Sequence, residues 1–164
     1  SLTPEPFHTT MQPKGVKQMF RAAVIYAPAD GPVQALADRI AKSLAGSRIA
    51  VSLKPAASAS IPDLAACDLI LLGCASQGKS PIHSDFAEIV RALAGINLAG
   101  RVAGVFALAS EAALLAWKKA LKDTDIRLEP DNLLLAKKPE VSAKELSAWL
   151  GRLAAQLEER AGVG

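Results

Sequence analysis

Apolar and polar residues follow two alternating patterns from residue 22 to the end of the chain. Short apolar runs have the length and the aliphatic composition of strands. These runs lie at 22–26, 49–53, 69–72, 102–108 and 126–135. The run at 49–53 alternates apolar with polar positions, which is typical of a strand nearer the edge of a sheet. The last run is interrupted at Pro130-Asp131-Asn132, so we expect the fifth strand to be broken there.

Apolar residues at helical spacing separate these runs. They predict helices over 32–44, 62–67, 86–95, 110–121 and 142–157. Pro32 suits a first helical position, and Ser142 with Glu145 has the spacing of a capping box. Strands that alternate with helices predict a parallel sheet covered on both faces by right-handed crossovers. The predicted fold is therefore α/β, a three-layer sandwich around a five-stranded parallel sheet.

The first twenty residues differ from the rest of the chain. They contain three prolines and only isolated apolar residues, which predicts an irregular tail over 1–20. Lys14, Lys17 and the adjoining Arg21 make this segment basic, and we interpret it as a linker from an upstream domain. The folded domain is predicted to span 21–160.

Composition and charge exclude several classes of function. The net charge of +3 is mild, and the lysines and arginines are scattered instead of gathered with aromatics, which argues against nucleic-acid binding. No apolar run has the length of a membrane span, and no leader pattern is present, so we expect a cytoplasmic protein. Cys67 and Cys74 have neither CxxC nor zinc spacing and are predicted to be buried free thiols. No metal site is predicted.

Ligands of parallel α/β sheets bind beyond the carboxyl ends of the strands. Function is therefore expected in the loops after Tyr26, Leu72 and Leu108. A response-regulator receiver would need a phosphoryl-accepting Asp at the end of the third strand, where this chain has Gly73-Cys74. The receiver class is excluded.

A P-loop is the next alternative. Residues 73–80, Gly-Cys-Ala-Ser-Gln-Gly-Lys-Ser, match GxxxxGK[ST] after a buried strand. Pro81 lies where the following helix should donate N–H groups to phosphate. No later strand ends in an acidic residue that would support a magnesium ion. Nucleotide binding at 73–80 stays a third possibility.

The stretch 69–93 resembles the third strand, flavin-flanking loop and following helix of the flavodoxin family. The residues in matching places are Gly73, Gly78, Lys79, Pro81, Asp85 and Phe86. Residues 96–106 are similar to that family's Leu-x-Gly-Lys-x-Val-Ala-x-Phe entry to its fourth strand, and the resemblance extends from residue 22 to about residue 158. It implies the strand order 2-1-3-4-5 and a flavin mononucleotide (FMN) site at the three loops. The positions it assigns to FMN are Pro28, Ala29, Asp30, Gly31, Cys74, Ala75, Ser76, Gln77, Gly78, Ala109 and Ser110.

The segment that matches the family's phosphate loop departs from its pattern. That loop places hydroxyls and free N–H groups at a helix N-terminus. Residues 28–33 read Pro-Ala-Asp-Gly-Pro-Val, without a hydroxyl and with two prolines that lack an N–H. We interpret Asp30-Gly31-Pro32 as a helix start whose carboxylate satisfies the N–H groups in place of a phosphate. Ser110 is likewise interpreted as a helix N-cap.

Two functions from different classes remain open. The first is a flavodoxin-like domain, part of a larger protein, in which FMN binding is weakened or lost and the role is structural or protein-interacting. The alternative is an FMN-binding electron-transfer domain. No catalytic residue is identified in either case. A protein partner or an upstream domain is expected, and a homodimer is a further possibility.

Overall fold

The computed structural model describes residues 20–45, 48–75 and 80–162. Five parallel strands form one sheet in the order β2-β1-β3-β4-β5. The strands are β1 (Phe20–Ala27), β2 (Ile49–Pro55), β3 (Leu69–Ala75), β4 (Val102–Leu108) and β5 (Leu133–Ala136). The sheet and its strand order confirm the predicted fold class.

Helices cover both faces of the sheet. They are α1 (Pro32–Ala45), α2 (Ile61–Ala65), α3 (Ala87–Leu93), α4 (Glu111–Leu121) and α5 (Ala143–Gly162). Alternate residues of β1 divide the core, because side chains of a strand point to opposite faces. Val24 packs in the cluster that contains residues of α1 and α5, whereas Ile25 packs in the cluster that contains residues of α2, α3 and α4. The result is the predicted three-layer sandwich.

Some boundaries differ from the sequence prediction. Phe20, assigned to the tail, is a buried residue of β1, while residues 1–19 lie outside the described part. The helix predicted over 86–95 is α3, which begins at Ala87 and is preceded by a 3₁₀ turn at Ser84–Phe86. The predicted helix stop at Gly46 also lies outside the described residues.

The fifth strand is broken where the sequence predicts it. Arg127 forms an isolated parallel bridge with Val102, and pairing resumes only at Leu133. In the gap, the Asn132 side-chain amide donates 2.8 Å to the carbonyl of Ala103. Asn132 and Gln156 of α5 also exchange two amide hydrogen bonds of 2.9 and 2.7 Å. Side chains therefore supply the hydrogen bonds that the missing stretch of strand would have made.

The capping box predicted at Ser142 and Glu145 is met in part. The Ser142 hydroxyl accepts 3.1 Å from the N–H of Glu145, which is one of the two bonds of a capping box.

Cys67 and Cys74 are buried free thiols, as predicted. Within the described ranges, no helix combines the length and the apolarity that crossing a membrane requires.

Candidate functional site

The register of the sheet brings the three candidate loops to one edge. Ala27 pairs with Cys74, and Cys74 pairs with Ala107, so β1, β3 and β4 end side by side. Strand order reverses between β1 and β3, which is the switch point where ligands of such sheets bind. Residues 28–31, 74–75 and 109–110 therefore lie along the same edge, as predicted, whereas Ser76, Gln77 and Gly78 lie outside the described residues.

The turn from β1 to α1 occupies residues 28–31. The peptide bond between Ala27 and Pro28 is cis, and Gly31 has a φ of 101°, a conformation that a residue with a side chain rarely adopts. The first bond at the start of α1 runs 3.2 Å from the N–H of Ala35 to the carbonyl of Gly31. The N–H groups of Val33 and Gln34 consequently have no partner within the helix.

Asp30 does not play the role that the sequence analysis assigned to it. Because α1 begins at Pro32, Gly31 holds the capping position and Asp30 lies one residue too early. Asp30 is exposed, and its carboxylate makes no hydrogen bond or ion pair with the described residues. The expectation that this carboxylate satisfies the helix N–H groups is therefore wrong, although Pro32 is at the first helical position, as predicted.

The turn from β4 to α4 is closed by its own residues. The buried Ser110 hydroxyl accepts 3.2 Å from the N–H of Ala113, which confirms the predicted N-cap. Ala109 has a φ of 55°, and its N–H donates 2.6 Å to the carbonyl of Ala136 at the end of β5. The helix therefore uses this hydroxyl as a hydrogen-bond acceptor.

The end of β3 is tightly packed. A Cβ atom at Gly73 would lie 2.0 Å from the Phe106 ring, so this position accepts only glycine. Cys74 is fully buried, and burial raises the pKa of its thiol. A thiol in this state is a poor nucleophile near neutral pH. Cys74 is therefore a packing residue.

The helix after β3 does not begin where the helix of a P-loop would. In a P-loop the helix begins at the Lys-Ser pair, so that its N-terminal N–H groups contact phosphate. Here the Ser80 hydroxyl donates 2.8 Å to the carbonyl of Ile82, and no helical turn begins before Ser84. Lys79 itself lies outside the described residues. The observed helix start counts against nucleotide binding at 73–80.

Aromatic side chains in the described ranges are all buried. Each has a relative exposure of 6% or less. They are Phe20, Tyr26, Phe86, Phe106, Trp117 and Trp149. Trp117 and Trp149 each make a T-shaped contact with a phenylalanine, Phe86 and Phe106 respectively. Both tryptophans are core residues, and none of the six rings is exposed for stacking on a flavin.

His83, in the loop before α3, is largely enclosed. Its side chain is 13% exposed, and its Nδ1 accepts 3.1 Å from the N–H of Asp85. The ring therefore caps the 3₁₀ turn before α3. Across the described ranges, no three His, Cys, Asp or Glu side chains gather in a way that could hold a metal ion.

The sequence analysis overlooked two cations at this edge. Lys137 and Lys138 directly follow β5, whose end pairs with the end of β4. They line a shallow cavity of about 280 Å³ together with Glu140 and Glu145. A Lys-Lys pair immediately after a strand was the signal that could have placed them there. The two glutamates offset their charge.

Comparisons with known proteins place the fold. No protein-family model matches the chain, and no curated protein matches it by sequence. A short-chain flavodoxin associated with a PDU bacterial microcompartment superposes with a TM-score of 0.75 at 16% identity, over 85% of this chain and 99% of that one. Oxidised flavodoxin 2 from Bacillus cereus gives 0.70 at 22% identity, over 85% and 99% of the two chains.

A third similar structure contains the cofactor. It is a flavodoxin mutant from Fusobacterium nucleatum bound to flavin mononucleotide, with a TM-score of 0.70 and 13% identity over 85% of this chain and 98% of that one. These identities are low, but the superpositions extend over nearly all of each flavodoxin. The resemblance predicted from residues 22–158 is confirmed at the level of the fold. This chain has the flavodoxin-like fold.

Proposed function

We propose that this domain is a flavodoxin-fold module in which FMN binding is weakened or lost, and that its role is structural or protein-interacting. One observation carries the proposal. Asp30 presents an exposed carboxylate, without a partner among the described residues, in the turn from β1 to α1, where the fold would place the FMN phosphate.

The size of the electrostatic penalty supports this proposal. Two like charges about 4 Å apart at an effective dielectric constant of about 20 repel by about 4 kcal/mol. Each lost hydroxyl hydrogen bond removes a further 1 kcal/mol or so. Even half of that sum weakens binding by about two to three orders of magnitude. The free N–H groups of Val33 and Gln34 do not offset a penalty of this size, since each neutral bond contributes only about 1 kcal/mol.

The surroundings of the flavin ring add a second argument. An aromatic side chain that stacks on a flavin must be exposed when the flavin is absent, and the described residues offer no exposed aromatic side chain at this edge. The Ser110 hydroxyl is engaged in capping α4. Among the described residues, Asp30 thus disfavours the FMN phosphate, and no exposed aromatic side chain is present to stack on the flavin ring.

An FMN-binding electron-transfer domain is the second candidate. The flavodoxin-like fold and the unpartnered N–H groups at the start of α1 favour it. FMN would supply the electron-transfer chemistry, and the protein would bind the cofactor and tune it.

FMN titration of the purified protein separates the two candidates. The proposal expects no saturable quenching of FMN fluorescence below about 100 μM, whereas saturation near 1 μM would establish the second candidate in its place. Asp30→Thr removes the charge and restores a hydroxyl, and it should tighten FMN binding at least about tenfold.

Glu158→Gln is the matched control, because it removes one negative charge from the far end of α5, near the amino edge of the sheet. It should leave FMN affinity unchanged. If Asp30→Thr were equally without effect on a measurable affinity, Asp30 would not adjoin the phosphate position and the proposal would lose its basis.

A further inference from the structure

A groove beside α4 combines an exposed apolar floor with positive charge. It has a volume of about 620 Å³ and lies between α4 and the extended segment at 126–128. Its apolar lining includes Leu115, Ile126 and Leu128. Leu115 is 58% exposed, more than any other large hydrophobic residue in the described ranges. Exposed apolar surface of this kind is typical of an interaction site.

Three lysines border the same groove. Lys118, Lys119 and Lys122 are exposed, and they make no ion pair with the described residues. Two other lysines of this domain are paired: Lys42 with Asp38, and Lys54 with Asp63. The described lining of this groove, in contrast, carries the three lysines and no carboxylate.

The apolar surface continues across α4. A second groove, of about 400 Å³, lies between α3 and α4. It is lined by Ile82, Val90, Leu93, Ala94, Ala116 and Ala120, with Lys119 and Asp123 beside them. Lys119 borders both grooves, so the outward face of α4 is an apolar strip with lysines along it. We call this strip and its two grooves the α4 surface.

We propose that the α4 surface docks an acidic helical segment of a partner protein that inserts a large apolar side chain beside Leu115. This inference rests on the protein-interaction role proposed above and names the class of partner. Glutamate or aspartate of the segment would pair with the three lysines, since complementary charge steers and aligns such contacts. The grooves on either side of α4 suit side chains spaced along one face of a helix.

The shape and the composition favour this occupant over two others. A bilayer surface is flat and would not fill two concave grooves, whereas protruding side chains would. Single-stranded nucleic acid would need aromatic side chains for stacking, and the nearest aromatic, Trp117, is fully buried beneath α4. The three lysines of the first groove argue against a basic or purely apolar partner.

Fluorescence anisotropy with a synthetic probe tests the proposal on the full chain. The probe is a fluorescein-labelled peptide of about sixteen residues, with leucines at i, i+4 and i+7 and glutamates elsewhere. Saturable binding with a midpoint below about 1 mM is expected, and it should weaken as salt increases. A peptide with lysine in place of each glutamate should not bind.

Matched variants locate the contact. Leu115→Ser and the double variant Lys118→Glu/Lys122→Glu should each weaken binding about tenfold. Leu135→Ser and Lys137→Glu/Lys138→Glu make the same changes at the carboxyl edge, where Leu135 is 39% exposed, and should leave binding unchanged. Shifts of backbone amide resonances should be confined to α4, its flanking grooves and 126–128.

Three results would overturn the proposal. One is the absence of saturation below about 1 mM peptide. Another is equal weakening by the variants at the carboxyl edge. The third is sedimentation with phosphatidylserine vesicles that depends on Leu115 while the peptide does not bind. FMN titration of the same samples keeps the two proposals distinct, because FMN binding would defeat the proposed function without affecting the peptide result.

Discussion

Two regions of the sheet treat their polar groups differently. Around β4 and β5, side chains of the domain satisfy the exposed backbone groups: Asn132 donates to the carbonyl of Ala103 where the fifth strand is interrupted, and Ser110 caps α4. At the end of β1, by contrast, Asp30 is exposed and has no partner among the described residues, and the first N–H groups of α1 have none within the helix. The polar groups around β4 and β5 stabilise the fold, whereas the fold's stability does not explain the polar groups in the turn after β1.

Substitution of Asn132 should change the free energy of unfolding more than any other variant compared below. Asn132→Ala would leave the carbonyl of Ala103 and the amide of Gln156 buried without partners, and we expect a loss of about 3 kcal/mol in the free energy of unfolding. Urea denaturation monitored by circular dichroism measures it. Asn97, an exposed residue whose side chain accepts 2.8 Å from the N–H of Ala99, is the control. Asn97→Ala should cost less than about 1 kcal/mol. Equal losses would show that the buried amide pair has no special role.

Ser110 and Asp30 provide a direct comparison of the two helix starts. Ser110→Ala removes the hydroxyl that caps α4 and should lower the free energy of unfolding by about 1 to 2 kcal/mol. Asp30→Ala should change it by less than about 0.5 kcal/mol, because no described contact is lost. Chemical denaturation of both variants in parallel checks this. A comparable loss from Asp30→Ala would mean that this carboxylate supports α1 after all.

Backbone conformation at the two turns gives the smallest expected effect. Ala109 has a φ of 55° without being glycine, so Ala109→Gly should raise the free energy of unfolding by about 0.5 kcal/mol. Gly31→Ala should lower it by about 1 kcal/mol through backbone strain alone, since no atom lies within 4 Å of the added Cβ. Thermal unfolding midpoints that move in opposite directions are the expected result. Midpoints that fall in both variants would contradict it.

Much of the fold could be predicted from sequence because its signals are local. The run 102–108 is apolar from end to end and has the bounds of β4. The proline in 130–132 marked the break before β5, since proline cannot donate to a ladder. Ser110 was identified as a cap from its position alone. Each of these features depends only on residues that are close together in the chain, so the sequence is enough to predict it.

The site was less predictable because its decisive features depend on orientation and on distant residues. An Asp-Gly-Pro sequence suits either an inward or an outward carboxylate, and only the start of α1 at Pro32 places Asp30 too early to cap. Asn132 meets Gln156 across 24 positions of sequence, so no local pattern indicated the pair. The apolar groove at Leu115 arises where α4 meets the segment 126–128, and neither element shows it alone.

The placement of the two tryptophans gives this domain an internal pair of reporters. Trp117 lies in the core layer with α4 and Trp149 in the layer with α5, and the sheet separates them. Each indole is fully enclosed, so emission in the native state should occur at short wavelength and shift to the red on denaturation. A protein that retains either tryptophan alone would thus report separately on one side of the sheet. Coincident transitions in the two would establish that both faces melt as a single cooperative unit.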